Sequence, residues 1–163
     1  MPTNTDEPLA PRATSTEQVD VRGPRFAAWV TSVVLVATLV VAAFSAPAAA
    51  VLLGLQTIVF AISALRGPRL SPYGRVYAAL VAPGLGPVTE REPVPPLKFA
   101  QLVGFAFAVV GVIGFATGPT LLGEITTAFA LVAAFLNAAF GICLGCQLYP
   151  FVARFRRTPA SAT

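Results

Sequence analysis

The chain has 163 residues, 56% of them hydrophobic and 11% charged, with a formal net charge of +4 and a mean hydropathy of +0.76. Soluble domains carry roughly 25% charged residues, so this composition excludes a soluble globule and reads as a membrane protein. Histidine is absent, which excludes Ser-His-Asp triads, His-bearing zinc sites and His-ligated haem.

Residues 1–18 are rich in Pro, Thr, Ser and Glu and are expected to form a disordered tail. Four stretches without ionised side chains follow: Phe26 to Phe44, Ala48 to Leu65, Phe99 to Thr117 and Ile125 to Phe151. A helix needs about 20 apolar residues to cross a hydrocarbon core of about 30 Å. Spans are therefore predicted at about 26–44, 48–65, 99–117 and 125–148. Helix is the conformation that satisfies its own backbone in lipid, and four segments cannot close a barrel. The Ser45-Ala46-Pro47 and Gly118-to-Glu124 connections are short, whereas residues 66–98 form a long loop. The expected fold is all-α, a membrane four-helix bundle made of two helical hairpins over residues 19–153. A basic tail over 154–163 follows it. Ala46-Pro47-Ala48 imitates a signal-peptide cleavage site, but the preceding apolar run exceeds the usual 7 to 15 residues of a signal.

All 11 Lys and Arg lie before the first span, in the central loop or after the fourth span. The positive-inside rule then predicts both termini and the central loop on the cytoplasmic side. Within the loop, Ser71-Pro72 reads as a helix start, and Tyr73, Val76, Tyr77, Leu80 and Val81 recur at helical spacing until Pro83-Gly84. This is expected to be a short interfacial helix. Pro93, Pro95 and Pro96 are expected to make an extended lead-in to the third span.

Two internal echoes stand out. Arg25-Phe26-Ala27-x-x-Val30 returns as Lys98-Phe99-Ala100-x-x-Val103, and Pro47 returns as Pro119, at offsets of 73 and 72. This reads as a parallel repeat. Arg22-Gly23-Pro24-Arg25 recurs letter for letter as Arg66-Gly67-Pro68-Arg69. One reading is a pair of corners where Gly-Pro breaks the helix and the arginines grip anionic headgroups. The other is a paired site for an anion.

Lipid gives helices no hydrophobic reason to associate, so small residues must let backbones meet. Gly104, Gly111, Gly114 and Gly118 predict a seam on the third span, facing Ala130, Ala134, Gly141 and Gly145 on the fourth. Gln56, Gln101 and Asn137 are the amides within the spans, read as interhelical hydrogen-bond partners or as a ligand site. Glu124 is the one acid outside the cytoplasmic parts.

Cys143-Leu144-Gly145-Cys146 is the motif with chemistry in it. Cysteines three apart on a helix share a face. A cycling dithiol, half of a metal site completed by a homodimer, and two inert packing residues are the readings open to it. The predicted position near the C-terminal end of the fourth span disfavours thiolate, because that end of the dipole is negative. It also lies on the reducing side, which argues against a permanent disulfide. No cofactor, no metal and no nucleic-acid partner is expected, and whether the chain is an enzyme stays open.

Asp20-x-Arg22, Arg69-x-Ser71-Pro72, Lys98-Phe99-Ala100-Gln101 and Gly141-x-Cys143-x-Gly145-Cys146-x-x-Tyr149 stand in this order over roughly Val19 to Tyr149. In these stretches the chain resembles an uncharacterised bacterial integral membrane family, domain of unknown function 4395. The resemblance implies a multi-pass protein of the bacterial inner membrane with paired cysteines and no assigned activity. It also implies an association with thioredoxin-like or sulfurtransferase proteins. The expected function is thiol–disulfide or sulfur-compound handling, with Cys143 and Cys146 as the redox pair and Arg22, Arg25, Arg66 and Arg69 holding an anion or headgroups. A non-catalytic membrane scaffold and a small transporter are the alternatives.

Overall fold

A computed structural model describes residues 17–156. The tail expected over residues 1–16, and residues 157–163 of the basic tail, lie outside the described residues. In chain order the elements are strand β1 (Gln18–Asp20), helices α1 (Arg22–Ala42) and α2 (Ala46–Arg66), short helix α3 (Pro72–Val76) and strand β2 (Arg91–Pro93). Helices α4 (Val94–Thr117), α5 (Thr120–Phe140) and α6 (Leu144–Arg156) complete them. Helices α1, α2, α4 and α5 are long and apolar enough to cross a membrane. At 1.5 Å per residue, 21 residues reach about 32 Å, the thickness of a hydrocarbon core.

Each helix end has a local cause. Ser45 caps α2, its hydroxyl accepting from the Ala48 N–H at 3.4 Å, and Pro47 sits in the first turn where its missing N–H costs nothing. Gly67 ends α2 at φ 89° and Gly118 ends α4 at φ 115°, conformations that favour glycine. The two Arg-Gly-Pro-Arg copies behave differently. In the first, Gly23 and Pro24 lie inside the first turn of α1, so no break occurs there. In the second, Gly67 stops α2 and Pro68 begins a 3₁₀ turn. A proline fits a helix's first turn but cannot continue a helix already formed, which separates the two copies.

The fourth span departs most from expectation. Helix α5 ends at Phe140, well short of position 148, because Gly141 turns left-handed at φ 69°. Its N–H and that of Ile142 return to the carbonyls of Asn137 and Leu136 at 3.1 and 3.2 Å. The chain then restarts as α6, so Gly141 is a cap rather than part of a packing seam.

Strands β1 and β2, which the sequence did not predict, pair antiparallel with Val19 opposite Glu92. Gln18, assigned to the tail, belongs to β1, and only Pro93 of the proline run is extended, since Pro95 and Pro96 fall in the first turn of α4. Ser71 caps α3 as expected, accepting from the Gly74 N–H at 2.9 Å. The helix over the loop is not uniform: α3 gives way to a π-type turn at Tyr77–Val81 and a 3₁₀ turn at Ala82–Gly84.

Helix α1 packs on α5 and α2 on α4, with α1–α2 and α4–α5 contacts closing the bundle. Leu35, Leu53, Ala108 and Phe115 form the centre of its apolar core. The glycines of α4 serve two neighbours. Gly114 lies against the backbone of Gly123 on α5, while Gly104 lies against the Phe60 ring and Gly111 against Leu53, both on α2. The predicted seam is therefore split between α5 and α2.

The halves repeat in space. Each runs strand, two long helices, glycine stop, short capped helix. Helix α3 contacts α1 as α6 contacts α4. The Phe26–Tyr77 ring pair, 5.8 Å between centroids, has its counterpart in Phe99–Tyr149 at 6.0 Å.

Candidate functional site

The break after α5 reverses the electrostatics expected for the cysteines. Cys143 is the cap of α6: its carbonyl accepts the first helical bond from the Gln147 N–H at 3.1 Å, and its Sγ accepts from the Cys146 N–H at 3.2 Å. The pair thus stands at a helix N-terminus, where the dipole favours thiolate, and not at a C-terminal end. Cys143 and Cys146 are joined as a disulfide, with Cα atoms 5.2 Å apart. The bond is the oxidised form that a cycling dithiol would take.

Two openings flank it. The outer is a cleft of about 370 Å³ lined by Glu92, Pro93, Pro96, Gly141, Gln147 and both cysteines. The inner is a cavity of about 230 Å³ among α1, α2, α4, α5 and α6, which Cys143, Thr31, Gln101 and Asn137 line together with apolar residues. Cys143 lines both; Cys146 lines only the outer one and packs against Val19, Val94 and Leu97. Gly145 holds α6 down, since a Cβ there would lie 2.5 Å from the Ala100 Cα.

The other expected site residues separate into groups. Gln101 and Asn137 meet at the inner cavity. Gln56 stands behind it: its Oε1 accepts from the Tyr73 hydroxyl at 2.6 Å and its Nε2 donates at 3.5 Å to Thr31, which lines that cavity. Glu124 lines a separate hollow with Leu39 and Ala43. Glu124 is thus set apart, whereas Thr31 links Gln56 to the cavity that Gln101 and Asn137 line.

The four arginines have different surroundings, although Gly23, Pro24, Pro68 and Arg69 of the two corners line one hollow. Arg22 pairs with Asp20 at 2.9 Å and donates to the Gly86 carbonyl, and Arg69 donates to the Gln18 carbonyl at 2.8 Å. These bonds tie the loop to β1, and hydrogen bonding from Arg22 holds the Asp20 carboxyl below its ordinary range. Arg66 is exposed at the end of α2. Arg25 places its guanidinium carbon 3.8 Å from where a Cβ on Gly141 would stand, beside the cysteine turn.

Glu92 is the site residue that sequence reasoning missed. Nothing in its local sequence marks it; the β1–β2 pairing brings it to the cleft. Burial pushes its carboxyl above the usual range, Glu90 adds to this, and Arg25 opposes it. The folded state then holds this proton more tightly than the unfolded chain does. Stability is lost as pH rises from the ordinary value of 4.5 through the raised folded one. Glu92→Gln is expected to raise the thermal midpoint in detergent at pH 7 and to change it little at pH 4. An equal shift at both values would mean that ionisation is not the cause.

The profile of the family described as "Domain of unknown function (DUF4395)" matches residues 19–154, which include both strands, the bundle and the cysteine turn. The chain belongs to the DUF4395 family. No curated protein and no solved structure matches it. The family match carries no activity, so the chemistry must be argued from the cysteine turn itself.

Proposed function

We propose that this DUF4395 protein is a multi-pass protein of the bacterial cytoplasmic membrane that performs thiol–disulfide exchange at the cytoplasmic face. The observation that carries this reading is the Cys143–Cys146 bond at the N-terminus of α6, open to a surface cleft. In one direction a partner dithiol gives two electrons and two protons to the disulfide, leaving two thiols here and a disulfide on the partner. In the other, Cys143, as thiolate, attacks the partner's disulfide and Cys146 resolves the mixed bond. The natural partner is a soluble thioredoxin-like or sulfurtransferase protein docking at the cleft. The two helical hairpins stand in the membrane, with α3 and α6 at its surface and the basic loops inside.

The test is the thiol state in cells. Alkylation with a mass-shifting maleimide is expected to count two thiols under reducing growth and none after diamide. Cys146→Ser is expected to trap a mixed disulfide through Cys143. Membrane-impermeant maleimide is expected to label inverted vesicles and not spheroplasts. A thiol count that never changes overturns the exchange reading. It would favour the second one, a scaffold whose disulfide is a staple, for which the seat of Cys146 among Val19, Val94 and Leu97 speaks.

A further inference from the structure

Exchange at the cleft leaves the inner cavity without a role. It contains two amides, Gln101 and Asn137, and neither side chain hydrogen-bonds to protein among the described residues. Both amides are partly exposed and open onto the cavity, where they can serve a ligand that accepts or donates hydrogen bonds. Among the described residues no charged side chain lines the cavity, which disfavours glutathione, sulfur oxyanions and other ionic reactants. Phe107 and Phe129 line it, 6.2 Å apart between ring centroids, and both are also exposed on the outer face, so the cavity is reached from the lipid side. Its 230 Å³ lies below the roughly 300–1,000 Å³ of sites for drug-sized ligands, room for one ring system but not for a long tail as well. Cys143 is among its lining residues.

We propose that this cavity binds the ring of a lipid-soluble quinone, which exchanges two electrons with the Cys143–Cys146 pair. The proposal rests on the exchange reading above and names its membrane-side reactant. The ring stacks among the phenylalanines, its carbonyl oxygens accept from the Gln101 and Asn137 amides, and its isoprenoid tail leaves toward lipid. In the oxidative direction two S–H bonds break and one S–S bond forms. The sulfurs lose two electrons to the ring, and the two carbonyl oxygens take up two protons to become hydroxyls. Cys143 alone lines both openings, so it faces the quinone on one side and the soluble thiol partner on the other.

The experiment uses the purified full chain, reduced with dithiothreitol, desalted and held without oxygen. Decylubiquinone is added, whose fully substituted ring does not arylate thiols. Expected is loss of quinone absorbance, one quinone per pair, with both thiols disappearing from alkylation. Gln101→Leu and Asn137→Leu are each expected to slow this oxidation roughly tenfold at subsaturating quinone, the loss of one hydrogen bond to the ring. Their equilibrium with a glutathione redox buffer is expected to match the unchanged protein, which also certifies their fold. Should either variant fail that control, Ala133→Phe, which fills the cavity, replaces it with the same expectation. A protein that equilibrates with glutathione but leaves decylubiquinone oxidised overturns the quinone site and spares the exchange reading. Variants that oxidise at the unchanged rate overturn it equally. Inertness toward glutathione as well as quinone overturns the exchange reading, and this proposal with it.

Discussion

Gly145→Val is expected to lift α6 off α4 while leaving the four long helices in place. A Cβ at position 145 would come within 2.5 Å of the Ala100 Cα and 2.6 Å of its Cβ. The obstacle is backbone, so no side chain can rotate aside, and the helix itself must move. Overpacking of this kind costs about 1–3 kcal/mol, roughly one to two orders of magnitude in the docking equilibrium. Two contacts loosen together: the Phe99–Tyr149 ring pair and the seat of Cys146 on Val19, Val94 and Leu97. After mild reduction, Cys146 in the valine variant is expected to react with maleimide at least tenfold faster than in the unchanged protein. Far-UV circular dichroism should change little. Equal labelling rates would show that α6 does not depend on this contact.

Gln56→Leu is expected to destabilise the bundle by about 2 kcal/mol, and the reason lies in what it leaves behind. Gln56 is 1% exposed and joins Thr31 of α1 to Tyr73 of α3. Leucine fills the space but strands the Tyr73 hydroxyl, and an orphaned buried donor costs about 1–3 kcal/mol. Tyr73 is half-buried, and burial raises its pKa. Tyr73→Phe alone strands the Gln56 carbonyl oxygen at a similar cost. The double variant strands neither of these two groups, so its loss is expected to fall short of the sum of the single losses by about 1 kcal/mol. Unfolding of the three variants in mixed micelles measures this. Additive losses would mean that the 2.6 Å bond contributes nothing of its own.

The spans were legible because hydropathy is a property of whole segments: three of the four predicted ones lie within a few residues of α1, α2 and α4. The end of α5 was not. From Ile125 to Phe151 no charge interrupts the chain, and Gly141 reads like any of the 13 glycines. Its left-handed turn follows from where the neighbouring helices leave room, which pattern alone does not encode. That single turn carried the cysteines from the unfavourable end of one helix to the favourable end of another. Glu92 was hidden for a related reason. Its place at the cleft depends on backbone pairing between two three-residue strands, too short for alternation to register. Gln101, Asn137 and Cys143 were each singled out by residue type, but their meeting at one cavity required the crossing of α4, α5 and α6.

The spatial repeat bears on how the cysteines should be altered. Ser71 and Cys143 occupy equivalent places, each capping the third helix of its half and each accepting from the N–H three residues on. The same architectural joint is thus built once with a hydroxyl and once with sulfur. Capping needs only an acceptor, and oxygen serves at least as well as sulfur. What the second copy adds to the first is a disulfide, carried by a joint that is built without sulfur in the first. Serine at position 143 therefore removes the disulfide and is expected to keep the cap, a substitution the fold has already made in its other half.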